Sequence, residues 1–185
     1  MPKTKSEEKK KYLDAIKSYD CTGCILKGIA LSQKNISGLN LTNANLENAL
    51  FNGKNTNLEN VLFKRANLKN TKFKDTNVTS ANFEKANLFG AKLTDVNFNN
   101  AYFKDTDLQY TEIDTPNFSN ANLENVNFSN ARLNNMIINQ YTNFKNANFT
   151  NSSLSNLNFN LNNKSVILGN ENLENINLTE AKLYN

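Results

Sequence analysis

The chain has 185 residues, 38% of them hydrophobic and 21% charged, with a formal net charge of +4. That composition suits one soluble domain, and no apolar run is long enough to span a bilayer. Histidine is absent, which removes any imidazole base, and the basic excess is too thinly spread to form the concentrated face of a dedicated nucleic-acid binder.

In chain order, residues 1–18 read as an N-terminal tail and a short helix. Ser6 suits the N-cap, Glu7 and Glu8 occupy the first turn, and Tyr12, Ile16 and Tyr19 fall on one face. The segment has no apolar stretch of the kind that defines a secretory signal, so the expected location is cytoplasmic. From residue 19 to 185 a different rule takes over. Cys21, Leu26, Leu31, Ile36, Leu41, Leu46 and Phe51 stand five apart, and after a two-residue insertion near 52–56 the spacing resumes at Leu58. It then runs without a slip through Phe63, Phe83 and Phe103 to Ile138. A one-residue insertion near 139–142 resets it to Phe144, Phe149, Leu154 and Phe159. A third, at 160–166, resets it to Leu168, Leu173, Leu178 and Leu183. The residue two before each centre is mostly Ala, Thr or Val, and the one just before it is often Asn, of which the chain holds 40. Neither a helix of period 3.6 nor a strand of period 2 accounts for a period of five.

This unit resembles that of the pentapeptide-repeat family, Ala-Asp/Asn-Leu/Phe-x-x. The resemblance implies an all-β fold, a right-handed quadrilateral parallel β-helix with four pentapeptides per coil. About eight coils follow, stacked ~4.8 Å apart into a rod of roughly 38 Å. A chain turning a corner every five residues points the large centre and its small partner inward and leaves three positions to solvent. Residues twenty apart should then stack, with Phe63, Phe83 and Phe103 in one interior column and Lys64, Glu84, Lys104 and Glu124 alternating in sign outside it. Asn60, Asn100 and Asn120 share a column with Ser80, where amides are expected to bond along the rod. Gly23, Gly28, Gly38, Gly53 and Gly90 each fall two after a centre, where the corner needs a positive φ. The N-terminal helix would cover the first coil.

Candidate chemistry is sparse. Cys21 and Cys24 in "CTGC" both point inward, as a buried thiol pair or a disulfide; with two cysteines and no histidine they do not make a metal site. Lys34 and Glu171 fall at small inward positions, where an unpaired charge is costly, so the coil should distort there. No catalytic, cofactor or metal residues are expected. Phe89 and Tyr110 should be exposed neighbours on adjacent coils, a candidate interaction patch, with Leu62 and Tyr102 also facing outward. Lys72, Lys92 and Arg132 share a column interrupted by Glu112.

The leading functional expectation is a non-enzymatic structural or interaction rod with an unknown protein partner, and no nucleic-acid or membrane partner. The family's gyrase-protecting branch implies an alternative, mimicry of DNA by an acidic rod. The basic charge disfavours it, because phosphate mimicry needs dense negative charge. A secreted bacterial effector scaffold is the other alternative. The last coil, with Leu178 and Leu183 in register, lacks an evident cap and suggests a weak two-fold homodimer through that edge.

Overall fold

The computed structural model describes residues 18–156, 160–161, 164–165 and 175–184. Residues 1–17 of the expected N-terminal helix and the position of Glu171 lie outside them. Tyr19, expected on the face of that helix, is a left-handed residue exposed to solvent. Units 82–86 show why the chain closes on a five-residue rule, because every N–H in that stretch finds a partner. Asn82 N donates to Val61 O of the coil before (2.9 Å), and Phe83 N donates to Tyr102 O of the coil after (2.7 Å). Glu84 N, pointing at neither coil, donates instead to the Asn82 side-chain Oδ1 (2.8 Å). Lys85 N donates to Lys104 O (3.0 Å), and Ala86 N closes the corner on Phe83 O (2.8 Å). A buried or half-buried backbone donor left unpaired is expensive, and the Asn before the centre satisfies the one donor that stacking leaves over.

On one side that residue is neither Asn nor Asp from Leu50 onward, and there the side becomes a true strand. Single residues of that kind elsewhere, such as Leu62, Tyr102 and Ile137, form isolated bridges. Among the described residues seven strands stack on one face: β1 Leu50–Asn52, β2 Lys72–Lys74, β3 Lys92–Thr94, β4 Glu112–Asp114, β5 Arg132–Asn134, β6 Ser153–Ser155 and, beyond a short separate pair (β7 Asn160–Leu161 and β8 Lys164–Ser165), β9 Lys182–Tyr184. The first residues of the seven are Leu, Lys, Lys, Glu, Arg, Ser and Lys. They pair in parallel in the order β1-β2-β3-β4-β5-β6-β9, with centre on centre from Phe51↔Phe73 through Leu154↔Leu183. The other three sides are held mostly by single bridges such as Asn57↔Asn77 and Asn67↔Asn87. Among the described residues the strand side shows eight levels, Ala30 to Lys182, as does the side from Ile25 to Asn177, and the side carrying Ile36 shows six, Asn35 to Ile137.

The interior is two residues deep. Phe63, Phe83 and Phe103 stack face to face at centroid spacings of 4.9 and 4.6 Å, and Phe98 meets Phe83 and Phe103 edge-on from the adjoining side. Ala81, Ala86, Ala91 and Val96 fill the gaps with no exposed surface to speak of. Threonine is tolerated in the same inward slot because its hydroxyl bonds to a carbonyl: Thr71 Oγ1 donates to Leu68 O and Thr106 Oγ1 to Phe83 O, each at 2.7 Å. Ser152 occupies such a slot fully buried, and its hydroxyl has no hydrogen-bond partner among the described residues. Ser152→Ala is therefore expected to raise stability by ~1 kcal/mol in denaturant melts, since it removes a desolvated group and keeps the volume. A loss of stability would mean that the hydroxyl is bonded in solution.

The corners explain the asparagine. The five described glycines have φ between +65° and +107°, but 24 other described residues are also left-handed, 13 of them Asn. Asn visits this region at lower cost than most side chains, so its abundance is a requirement of the corners as well as of the Asx turns. The amide ladder runs in a different column from the one expected. Asn77 donates to Asn57, Asn97 to Asn77 and Asn117 to Asn97, at 3.3, 3.5 and 3.2 Å. In the Asn60 column the short Ser80 cannot reach an amide one coil away, and Asn120 pairs sideways with Asn99 and Asn139.

Two of the three insertions lie where the spacing put them. Phe51 stacks on Phe73, where an unbroken repeat would have brought position 71, and Asn122 stacks on Asn143 instead of position 142. The third is larger than the sequence suggested. Leu154 pairs with Leu183 rather than Leu178, where an unbroken repeat would have brought position 174. Part of the excess forms the antiparallel pair of β7 with β8. Lys34 is exposed, although its position counts as inward, because burying its charge without a partner would cost more than bending the coil. Thr56 of the coil after, fully buried, accepts from Gln33 N (2.7 Å) beside it.

Candidate interaction surface

Charges on the rod pair along its axis. Lys64 Nζ lies 2.9 Å from Glu84, Lys104 Nζ 3.1 Å from Glu124 and Lys27 Nζ 3.1 Å from Glu47. The hydrogen bond from Lys64 holds the Glu84 carboxyl below its ordinary range. These pairs sit on solvated surface and contribute little individually. Among the described residues, no group of three or more His, Cys, Asp or Glu side chains is placed to hold a metal ion.

One corner departs from this pattern. Phe89 follows the centre Leu88, and Tyr110 takes the corner of the next coil, so the two rings meet at a centroid distance of 5.1 Å. Phe89 is 37% and Tyr110 55% exposed, and Lys69 Nζ of the preceding coil lies 5.9 Å from the Phe89 ring centre. Tyr110 has φ +56°, a corner that Gly90 and Asn130 occupy on the coils to either side. Placing an aromatic L residue there costs about 1 kcal/mol of backbone strain, and it exposes a ring that a core would have buried. Leu62 is also exposed, whereas Tyr102, expected to face fully outward, is only half-buried.

Round this corner lies the β-sheet face. Lys72, Lys92, Glu112 and Arg132 align as Cα partners on β2 to β5. Lys92 Nζ donates to Glu112 Oε2 at 2.7 Å, which, with the nearby charge of Arg132, lowers the Glu112 pKa. A shallow groove crosses the sheet here, bordered by Lys92, Glu112, Asp114 and Arg132 with Ile113 at its floor. The sequence marked the aromatic pair and the cation column separately; the groove and the Lys69 contact depend on side-chain reach that periodicity does not encode.

At the first coil, Cys21 and Cys24 are joined as a disulfide across a corner, with Cα atoms 5.2 Å apart and both residues buried. Gly23 supplies the left-handed corner between them, and Asp20 Oδ1 caps the turn by accepting from Thr22 N and Oγ1. Those bonds hold the Asp20 carboxyl below its usual range. At the far end Leu178, 44% exposed, sits at the level above Phe149. No helix among the described residues is long and apolar enough to cross a membrane.

The chain aligns with several solved structures. HetL, a pentapeptide repeat protein involved in heterocyst differentiation regulation from the cyanobacterium Nostoc sp. strain PCC 7120, is 14% identical over 98% of this chain and 95% of its own, with a TM-score of 0.42. QnrB1, a plasmid-mediated fluoroquinolone resistance protein, is 16% identical over 89% of this chain and 79% of its own, at 0.46. A pentapeptide repeat protein from the thylakoid lumen of Arabidopsis thaliana is 25% identical over 68% of each chain, at 0.30. No curated protein matches the sequence. The family model for pentapeptide repeats matches in eight copies, over residues 20–53, 54–84, 81–114 and 117–138. With more than half its length so matched and its coils built on the five-residue unit, the chain belongs to the pentapeptide-repeat family.

Proposed function

We propose that this protein is a non-enzymatic rod, cytoplasmic in location, that docks a protein partner through the Phe89/Tyr110 corner. The exposed aromatic pair carries this reading. Tyr19, Ile25, Leu62 and Tyr141 are also exposed, but here two rings from consecutive coils contact each other in solvent, one on a strained backbone. Exposed aromatic anchors are the usual centres of binding energy at protein interfaces. Chemistry finds no comparable support, since the chain has no histidine and its carboxylates are paired or spread over a convex rod.

A photo-crosslinking residue in place of Phe89, with Thr79 on a different side as control, tests the reading in the native cell. Discrete protein adducts are expected from position 89 and not from 79. Equal yields from both would overturn it.

Gyrase binding by DNA mimicry has less behind it: QnrB1 is a fluoroquinolone resistance protein, but a rod of net charge +4 lacks the acidity that phosphate mimicry demands. Supercoiling by gyrase with added quinolone is expected to proceed the same with or without this protein. As for self-association, the exposed Leu178 supports a weak end-to-end homodimer through the last coil. Light scattering should then show a concentration-dependent dimer that Leu178→Lys or Leu183→Lys removes, and a monomer at every concentration would exclude it.

A further inference from the structure

We infer that the partner's docking segment is an acidic peptide carrying one exposed aromatic or large aliphatic side chain, held across the corner by the Phe89/Tyr110 rings and the cations beside them. The inference rests on the docking reading above and names the chemistry of its partner. Three observations converge on it. The ring pair is an apolar anchor open to solvent. Lys69 lies against one ring, and Lys72, Lys92 and Arg132 line the strand face one corner further on. Against these four cations stand Glu112, which is engaged by Lys92, and Asp107, whose Oδ1 accepts from Gln109 N. Asp114 at the groove border accepts at Oδ1 from Asn135 Nδ2, and Asp95 stands at the far edge. Of the four cations, Lys69, Lys72 and Arg132 are thus without an ion pair among the described residues. Arg132 has no ion pair among the described residues and borders the groove, where its planar fork suits a carboxylate.

Geometry favours a peptide over a nucleic acid. The two rings contact each other at a 44° tilt, so neither offers an open pair of parallel faces for successive bases to stack upon. Asp95 and Asp114 at the far border of the strand face would also repel a continuous phosphate chain, whereas a short peptide can place a carboxylate on Arg132 and stop. The alternation of sign seen in the Lys64 column fails on this face, one corner on from the aromatic pair.

The test uses fluorescence anisotropy on the full chain with four labelled probes. These are an Asp/Glu peptide with one central Phe, the same peptide with Ala for Phe, its Lys counterpart with Phe, and a single-stranded oligonucleotide of matched charge. The acidic Phe peptide is expected to bind about ten-fold more tightly than the Ala version or the Lys counterpart, and to weaken as salt screens the contact. Arg132→Glu and Phe89→Ser should each lower that affinity about ten-fold while leaving the thermal melt unchanged. Tyr110→Asn is the decisive variant. It relieves the strained corner, so its melting temperature should rise while peptide affinity falls, a combination that a purely structural tyrosine would not give. Tighter binding of the oligonucleotide, equal binding of the Lys counterpart, self-association blocking the corner, or indifference to Phe89→Ser would each overturn the proposal. If the acidic peptide fails while crosslinks from position 89 persist, the charge assignment is wrong and the docking reading stands; if both fail, both fall.

Discussion

Phe83→Ala is expected to lower the free energy of unfolding by ~3–5 kcal/mol. The ring lies face to face with Phe63 and Phe103 and edge-on to Phe98, and it is fully buried. Its removal therefore deletes apolar transfer energy and three ring contacts, and leaves a void bounded by the Phe63 and Phe103 rings on the coils before and after. The walls cannot collapse into that void, because each coil's spacing is fixed by hydrogen bonds such as Phe83 N to Tyr102 O. Glu84→Ala is the matched control one residue away. It removes an exposed ion pair with Lys64, and its effect should fall within experimental scatter. Comparable losses for the two substitutions in denaturant melts would mean that inward and outward positions have been exchanged.

The second large effect concerns the first coil. In the chain-entropy account, a crosslink closing a four-residue loop contributes about 2 kcal/mol, and here the effect should be local. In a repeat rod each coil is held by its neighbours, so one coil can open locally without the rest. Reducing the Cys21–Cys24 disulfide should accordingly speed hydrogen exchange at the Cys21, Gly23 and Leu26 amides, which donate to Asn40, Thr42 and Asn45, by about thirty-fold. Amides of the Phe83 coil should exchange at an unchanged rate. Exchange at Cys21 indifferent to reductant, with two thiols free in the unreduced unfolded protein, would restore the reading of a buried thiol pair.

How much of this was legible in the sequence depends on what each residue contributes. Large side chains announce themselves by spacing, so the columns of Phe63, Phe83 and Phe103, and the proximity of Phe89 to Tyr110, follow from counting. Insertions of one and two residues also show, because they shift the phase of every later centre. The full size of the third did not, since counting places Leu178 opposite Leu154 and the paired partner proves to be Leu183. Asparagine was harder for a different reason. It does two jobs, capping a backbone donor before the centre and adopting the left-handed corner after it, and composition alone merges them. The location of the sheet was encoded nonetheless: one side in four consistently has a residue other than Asn or Asp before its centre, at Leu50, Lys72, Lys92, Glu112, Arg132, Ser153 and Lys182. The groove beside Arg132 had no such signature, because it arises from how far long side chains reach.

The direction of the inter-coil hydrogen bonds has a mechanical consequence. They lie along the axis of the rod, so tension applied to its two ends loads the rungs in series, and the coil at either end yields before those between. Each released coil of twenty residues would lengthen the tether by roughly 65 Å, the difference between an extended segment and one inter-coil rise. The enlarged coils, from Phe51 to Phe73, from Asn122 to Asn143 and above all from Leu154 to Leu183, would release correspondingly more. Under load the rod is a graded extensible spacer that gives way a coil at a time and keeps its remaining surfaces presented while it does so.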